Sequence, residues 1–220
     1  MCGIIGTVGR GGETLDVLVH GLSKLEYRGY DSAGVAMTGP GDDVDVVKCA
    51  GEIDDLRAKL ETTTLSGDVG IGHTRWSTHG PPTDENAHPH RDCTGRVAVV
   101  HNGIIENYGR LRDELVAAGH EFGSDTDTEV VPHLVEDALA DGADPEAAVR
   151  AAVSQLEGSY ALAIVVEGVE AVFAARNDSP LVIGEDPDRE ATYLASDVPA
   201  FRDFTDRVVY LDDGEFARLD

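Results

Sequence analysis

The residue whose position suggests chemistry most directly is Cys2, which follows the initiator Met1. Methionine aminopeptidases remove an initiator Met when the next side chain is small, and Cys2 would then carry a free α-amine beside its thiol. The pKa of an α-amine is about 7.7–8.0 and that of a thiol about 8.5, so the neutral amine can accept the thiol proton near neutral pH. Nucleophile and base would then belong to one residue. The alternative is a structural Cys that acts as a small apolar side chain in a buried first strand.

A second candidate is the Asn102-Gly103 pair in the run HNGIIENY. After a strand, Asn-Gly is first of all a turn signal, and that interpretation is favoured for the pair on its own. The functional alternative is an oxyanion hole, in which the Asn amide and a backbone N–H point at an oxygen that becomes negative in the transition state. Gly allows the backbone to approach closely at such a place.

The run HTRWSTHG at 73–80, followed by two prolines, predicts a strand that ends in a loop rich in hydrogen-bond donors. Arg75 could form a bidentate pair with a carboxylate. Trp76 is the single Trp of the chain, and a Trp on a polar loop indicates a site more often than a core. Gly80 and the prolines would delimit a mobile flap over that site.

Two further polar runs admit both a structural and a functional interpretation. The run SDTDTE at 124–129 supplies helix caps, and an Asp within it could instead bind a cationic amine. The run YRGYDSAG at 27–34 lies between a predicted helix and a strand, where Arg28 and Asp31 could pair. Neither run identifies a function by itself.

Cofactor and metal sites are not expected from these residues. Four His residues are close in sequence, but their spacings match no common zinc pattern and no Cys pair accompanies them. They are His73, His79, His88 and His90. The Gly-Arg-Gly-Gly run at 9–12 is not followed by the Lys-Ser/Thr of a phosphate-binding loop. We therefore predict catalysis without a cofactor and without a metal.

The composition limits the classes of protein to which the chain can belong. Its 220 residues, 41% of them hydrophobic, are enough for one sizeable core. No apolar stretch is long enough to span a bilayer, and the N-terminus does not have the regions of a signal peptide. A soluble, cytoplasmic protein with no membrane partner is therefore expected. Three Cys residues without a CxxC pair argue against a disulfide framework.

The charge distribution makes nucleic acid an unsuitable partner. The formal net charge is −25, from 42 acidic and 17 basic residues, and the acidic residues are scattered along the chain. Phosphates would be repelled over most of such a surface. Few Lys residues together with many Asp residues favour a surface adapted to a high-salt cytoplasm, where ions screen the repulsion. An ordinary acidic protein is the alternative.

The elements that must position these residues are mostly strands. Short apolar runs predict strands at 3–9, 33–38, 44–49, 69–74, 97–101, 160–166, 170–175, 181–184, 192–195, 207–211 and 215–219. Four helices are predicted. The first runs from Leu15 to Leu25 with Thr14 as cap and Gly29 as stop, and the second runs from Tyr108 to Ala118 and is ended by Gly119. The third begins in SDTDTE with Pro132 near its first turn, and the fourth runs from Pro145 to Leu156 and is capped by Asp144. This order does not fit a doubly wound parallel sheet. It fits sheets packed on each other with helices outside.

In this order, the runs CGIIG, YRGYDSAG, HTRWSTHG, HNGIIENY and SDTDTE resemble the glutaminase domain of the glutamine–fructose-6-phosphate aminotransferase family, from Cys2 to the chain end. That family belongs to the class II glutamine amidotransferases, within the N-terminal-nucleophile hydrolases. The resemblance implies an α/β fold that is a four-layer α/β/β/α sandwich. It also implies hydrolysis of L-glutamine to glutamate and ammonia through a thioester intermediate.

The resemblance assigns roles to individual residues. Cys2 is the implied nucleophile, and Asn102 with Gly103 is the implied oxyanion-hole pair. The implied ligands of glutamine are Arg75 for the α-carboxylate and Asp127 for the α-amine. The remaining implied residues are Trp76, Thr78 and His79, in a loop that closes over glutamine, and Arg28, which supports the nucleophile strand.

Two departures from the family pattern concern one loop residue and the length of the chain. Ser77 stands where the family usually has Ala, which should leave the mechanism unchanged. Full-length family members also carry a C-terminal sugar-phosphate isomerase half, which uses the ammonia to make glucosamine-6-phosphate. Residues 1–220 are interpreted as a single glutaminase domain without that half, either excised or stand-alone. The expected partners are L-glutamine, the isomerase half of a full-length enzyme and a second copy in a homodimer.

Three other functions stay open at this point. One is the amidotransferase domain of another pathway, such as purine or asparagine synthesis, although YRGYDSAG with HTRWSTHG favours the amino-sugar branch. Another is a catalytically silent regulatory module, against which the intact set of nucleophile, oxyanion pair and substrate ligands argues. The third is an amidase for other amides, which would cleave substrates without α-amino and α-carboxylate groups.

Overall fold

Two antiparallel sheets form the centre of the computed structural model, which describes residues 2–9, 12–39, 43–77 and 80–220. Across those residues, the spatial order of the first sheet is β11 (Val208–Tyr210), β9 (Val182–Asp186), β10 (Ala191–Ala195), β1 (Gly3–Gly9), β4 (Val69–Arg75), β2 (Ser32–Thr38) and β3 (Asp45–Ala50). The order of the second is β12 (Phe216–Leu219), β8 (Val172–Asn177), β7 (Gly158–Val166), β6 (Val97–Ile105) and β5 (His90–Arg91). Neighbouring strands are antiparallel in both.

Helices cover the outer face of each sheet. The helices α1 (Thr14–Leu25) and α2 (Ile53–Leu60) share an apolar cluster with the first sheet. The helices α3 (Tyr108–Ala118), α4 (Val130–Ala140) and α5 (Pro145–Val153) share another with the second sheet. A third cluster lies between the sheets and draws its side chains from both. The predicted four-layer α/β/β/α sandwich is therefore confirmed.

Strand β7 shows how the sequence encodes this layering. Its residues from Ala161 to Val166 are all buried, so the strand reads as a continuous apolar run. Successive side chains of a strand point to opposite faces. Leu162 and Ile164 accordingly pack against the helices, while Ala161 and Ala163 face the first sheet. The small side chains on that face allow the two sheets to approach each other.

The predicted helix ends are partly confirmed. Gly119 ends α3 with φ 108°, a left-handed conformation that Gly adopts at little cost, and the Asp144 side chain accepts the Ala147 N–H at 3.0 Å. The prediction for Thr14 was wrong: it is the first residue of α1, and its buried side chain packs beside Gly70. Helix α4 begins only after the SDTDTE run, with no side-chain cap.

One α-helix and one strand in the described part of the chain were missed, namely α2 and the two-residue strand β5. Helix α2 has few apolar residues, and β5 is too short to produce a pattern. The helix that starts at Pro145 ends at Val153, earlier than predicted. No helix in the described part of the chain is both long enough and apolar enough to span a membrane.

Candidate active site

Cys2 lies at the start of β1, which runs between β10 and β4 inside the first sheet. The residue is half-buried, and its Sγ accepts the Trp76 N–H at 3.3 Å. Two side chains hold its carbonyl oxygen: Arg28 Nε and Asn102 Nδ2 both donate to it at 3.0 Å. Arg28 lies in the turn between α1 and β2, and Asn102 belongs to β6 of the second sheet, so two separate parts of the fold fix the backbone of Cys2.

Burial raises the pKa of the Cys2 thiol, and the Trp76 N–H and the nearby Arg75 charge offset this effect only in part. The thiol is therefore protonated near neutral pH. A base must accept its proton before the sulfur can attack a substrate.

The side-chain amide of Asn102 is oriented by His73, a residue of β4 that no sequence pattern connected with the site. His73 Nε2 lies 3.0 Å from Asn102 Oδ1 and 3.0 Å from the His101 carbonyl oxygen. Burial lowers the pKa of His73 to about 3, so the ring is neutral at physiological pH. Both partners of Nε2 are acceptors, so the single ring proton lies on Nε2 and donates to them. This arrangement turns the Asn102 Nδ2 donor towards Cys2.

Gly103 lies inside β6 and does not form the predicted hairpin turn. The strand continues to Ile105, and Gly103 pairs with Tyr160 of β7. Its φ is 124°, and a Cβ at this position would lie 2.1 Å from the Ser159 carbonyl oxygen. Only Gly fits this backbone conformation and this close approach. The turn interpretation of Asn102-Gly103 was therefore wrong.

Arg75 ends β4 with its side chain buried. Its guanidinium contacts the Gly80 and Pro81 carbonyl oxygens at 3.4 and 3.5 Å, at the far end of the HTRWSTHG run. Asp31 braces the start of the same loop, because its carboxylate accepts the Ser77 N–H and its own N–H donates to the Arg75 carbonyl at 3.1 Å. The loop is thus held at both ends.

The predicted pair of Arg28 and Asp31 is not formed. Arg28 instead pairs with Asp197 at 3.1 Å, beyond β10, and donates to the carbonyl of Cys2. Asp31 binds Ser77 and Ser32. The two residues therefore support the site separately, Arg28 under the nucleophile and Asp31 under the loop.

Asp127 is buried, and β6 fixes its carboxylate. Its Oδ2 accepts the Ile105 N–H at 2.8 Å, while its Oδ1 has a longer contact of 3.4 Å to the Thr128 hydroxyl. The carboxylate of Glu129 accepts the N–H groups of Gly123 and Ser124 at 2.8 and 2.7 Å. The SDTDTE run is thus a loop ordered by its own side chains.

A small cavity of about 20 Å³ brings most of the predicted site residues together. Cys2, Arg75, Trp76, Gly103 and Asp127 line it. Asn102 reaches the same place through its bond to Cys2. Trp76 is 46% exposed and contacts the Tyr30 ring edge-on, with 5.3 Å between centroids. The predicted loop residues Thr78 and His79 lie outside the described residues.

A much larger cavity, of about 820 Å³, lies at the opposite end of β1 around Val8 and Gly9. Its wall includes six carboxylate side chains and none of the predicted site residues. Acidic groups without a nucleophile or an arranged set of donors give no basis for catalysis there. The small cavity at Cys2 is therefore the candidate active site.

Three neutral histidines pack behind this site. The rings of His73 and His88 stack with centroids 4.2 Å apart, and His88 contacts His90 at 4.6 Å. Burial lowers the pKa of His88 and of His90 well below the ordinary value. The cluster is uncharged at neutral pH, so it provides packing and hydrogen bonds next to the nucleophile.

Comparison with known proteins gives consistent results. Residues 73–203 match the family described as glutamine amidotransferase domain. The chain is 53% identical over its whole length to the glutamine–fructose-6-phosphate aminotransferase (isomerizing) of Thermococcus kodakarensis, and 54% identical to that of Halobacterium salinarum. It spans 36% and 35% of the length of these two relatives.

Among solved structures, the chain is similar to the glutamine phosphoribosylpyrophosphate amidotransferase from B. subtilis. The TM-score is 0.81 at 29% identity, covering 99% of this chain and 47% of the other. A structure described as the allosteric regulatory enzyme of purine biosynthesis has a TM-score of 0.83 at 29% identity, covering 99% of this chain and 46% of the other.

Proposed function

Because the chain belongs to the family of glutamine amidotransferase domains, we propose that it hydrolyses L-glutamine to glutamate and ammonia with Cys2 as the nucleophile. The observation that supports this most strongly is that one small cavity gathers the groups that such a reaction requires. Cys2 lies there beside the donor pair Asn102 and Gly103, and the buried charges of Arg75 and Asp127 line the same cavity. A zwitterionic amide substrate requires this set of groups.

The two charged residues account for recognition of the amino-acid end of glutamine. We assign the α-carboxylate to the guanidinium of Arg75 and the α-ammonium to Asp127. The Ile105 N–H donates to Oδ2 of Asp127 and so fixes the plane of the carboxylate. Oδ1 therefore also has a fixed orientation. Trp76, with Thr78 and His79 of the same loop, would cover the bound substrate and exclude water.

The chemistry then proceeds in balanced steps. After removal of Met1, the Cys2 α-amine takes the thiol proton, and Sγ attacks the side-chain carbonyl carbon of glutamine. The resulting oxyanion accepts hydrogen bonds from the Asn102 Nδ2 and the Gly103 N–H, each worth ~2.7–4 kcal/mol of barrier in comparable sites.

Collapse of the tetrahedral intermediate breaks the carbon–nitrogen bond, and the α-ammonium returns its proton to the departing ammonia. The product on the enzyme is a γ-glutamyl thioester. Water adds to this thioester with the α-amine of Cys2 again as base, which releases glutamate and regenerates the thiol.

The acceptor of the ammonia is proposed from the relatives named above. They are glutamine–fructose-6-phosphate aminotransferases, and this chain spans about a third of their length. We propose that in a full-length enzyme the ammonia passes to fructose-6-phosphate in a C-terminal isomerase domain, giving glucosamine-6-phosphate. The net charge of −25 supports the further proposal that the enzyme works in a salt-rich cytoplasm.

The test is glutamate release from glutamine in high salt, after mass spectrometry has established that Met1 is removed. We expect activity in the unmodified chain and none in Cys2→Ala. Cys49→Ala is the matched control, because Cys49 is a buried thiol of β3 that does not line the cavity. Equal loss of activity in both variants, or equal cleavage of an amide without the α-amino and α-carboxylate groups, would contradict the proposal.

A further inference from the structure

A second group of reactive side chains lies at the turn that precedes β6. Cys93 belongs to that turn, His120 follows α3, and His133 and Glu136 stand one turn apart on α4. One ligand atom of each residue lies within 4.8 Å of the others. We propose that these four residues form a structural binding site for Zn²⁺.

The distances within the cluster match those of a tetrahedral site. Zinc–ligand bonds of about 2.3 Å to sulfur and 2.0–2.1 Å to nitrogen or oxygen place sulfur and nitrogen about 3.6 Å apart, and nitrogen and oxygen about 3.3 Å apart. The Cys93 Sγ lies 3.7 Å from His120 Nδ1 and 3.6 Å from His133 Nδ1. The Glu136 Oε2 lies 3.1 and 3.2 Å from the same two nitrogens.

The groups around the cluster also suit a cation. His120 Nε2 lies 2.9 Å from Asp137 Oδ1, so with a cation on Nδ1 the ring proton would lie on Nε2 and donate to that carboxylate. A carboxylate that accepts the other ring N–H of a ligating His, and so orients the ring, is common at zinc sites. The Glu121 N–H donates to the Cys93 sulfur at 3.3 Å, but burial and the carboxylates of Glu136 and Asp92 together raise the pKa of this thiol, so the thiolate would form as the metal binds. A cation between the four ligands would take the place of a proton between His120 Nδ1 and Glu136 Oε2, which lie 3.1 Å apart.

The types of ligand atom indicate which metal the site would bind and that its role would be structural. One thiolate, two imidazoles and one carboxylate suit Zn²⁺, and Mg²⁺ or Ca²⁺ would require oxygen ligands. Four protein ligands complete a tetrahedron and leave no open position, which is typical of a structural site. His133 is buried, while Cys93 is exposed and provides the entry path.

The site would tie together the three segments that support the candidate active site. The turn at Cys93 leads into β6, which carries Asn102 and Gly103. The segment after His120 leads into the loop that contains Asp127, and α4 follows that loop. No metal was expected from the sequence, because the His residues between 73 and 90 match no common zinc spacing. The four residues proposed here come from three separate segments of the sequence, and the fold brings those segments together.

The experiment measures metal binding directly. The protein is stripped with a chelator and titrated with Co²⁺ alone, then with Zn²⁺ alone as competitor. We expect one equivalent of Co²⁺ to give the intense visible bands of a tetrahedral ion and a thiolate charge-transfer band, both displaced by Zn²⁺. Cys93→Ser should abolish the charge-transfer band. Cys2→Ala should retain it, so the outcome is independent of glutaminase activity.

Asp137→Ala provides a second variant, which removes the carboxylate at a half-exposed surface position of α4. It should weaken Zn²⁺ binding about 10–100-fold, as loss of such a carboxylate typically does. The melting temperature should rise with Zn²⁺ in the unmodified protein and not in Cys93→Ser. Absence of the tetrahedral spectrum in the unmodified protein, or persistence of the thiolate charge-transfer band in Cys93→Ser, would overturn the proposal.

Discussion

The neutral histidines behind the active site should make the fold sensitive to mild acid. His73, His88 and His90 all have a pKa lowered by burial, to about 3 for His73. In the unfolded chain each titrates near 6.5. Between these values the unfolded chain binds more protons than the native one, so the free energy of unfolding falls as the pH falls below 6.5.

The magnitude follows from the linkage relation. Lowering the pH from 7.5 to 5.5 stabilises the unfolded state by about 1.3 kcal/mol for each such His, or about 4 kcal/mol for three. That is a large part of a typical stability of about 5–15 kcal/mol. The carboxylates with lowered pKa, such as Asp84 and Asp203, lose their contribution only below about pH 4 and do not interfere.

The assay is urea unfolding followed by far-UV circular dichroism at constant high salt, at several pH values from 7.5 to 5.5. High salt is needed because acid also relieves the repulsion of a chain with net charge −25, which would act in the opposite direction. In His90→Gln the loss should be smaller by about 1.3 kcal/mol, since one buried His is gone. A loss below about 1 kcal/mol in the unmodified protein, or an equal loss in both proteins, would refute the reasoning.

Three further predictions concern the candidate active site. Asn102→Ala should lower kcat for glutamate release about 10²–10³-fold with little change in KM, because its amide is proposed to act in the transition state. Gly103→Ala should lower both activity and the free energy of unfolding, the latter by about 1–3 kcal/mol, because its φ is 124° and the new Cβ would lie 2.1 Å from the Ser159 oxygen. Asp127→Asn should reduce kcat/KM for glutamine about 10–100-fold, while its amide oxygen can still accept the Ile105 N–H.

Each of these has an outcome that contradicts it. For Asn102→Ala, a rise in KM with unchanged kcat would show that the amide serves binding only. For Gly103→Ala, urea unfolding equal to that of the parent would show that β6 accommodates the methyl group. For Asp127→Asn, steady-state kinetics should be repeated with a glutamine analogue lacking the α-amino group. An equal fall in kcat/KM for both substrates would indicate structural damage.

Local sequence patterns were sufficient for most strands and for the helix ends that depend on one residue. Gly119 ends α3 because a left-handed residue is needed there, and Asp144 caps α5 through a contact three residues away. Both interactions are local, so composition and spacing contain the information. Thr14 failed as a cap because its side chain packs against another strand, beside Gly70. That competition cannot be read from the helix alone.

The candidate active site, too, could be predicted only in part from the sequence. The sequence by itself determined that Cys2 is a thiol next to the chain start, and that Arg75, Asn102 and Asp127 lie in polar runs. It did not determine the backbone at Asn102-Gly103. The local preference of this pair for a turn is overridden by pairing along the whole of β6 with β7, because a continuous ladder of hydrogen bonds outweighs the preference of two residues.

The tertiary structure alone decided which distant groups meet. It brought His73 of the first sheet against Asn102 of the second, and it gathered Cys93 and His133 around a common centre. Such contacts depend on how two sheets stack and how α4 lies on one of them. No short-range periodicity encodes this, because the contacts arise from burying apolar faces that are far apart in the chain.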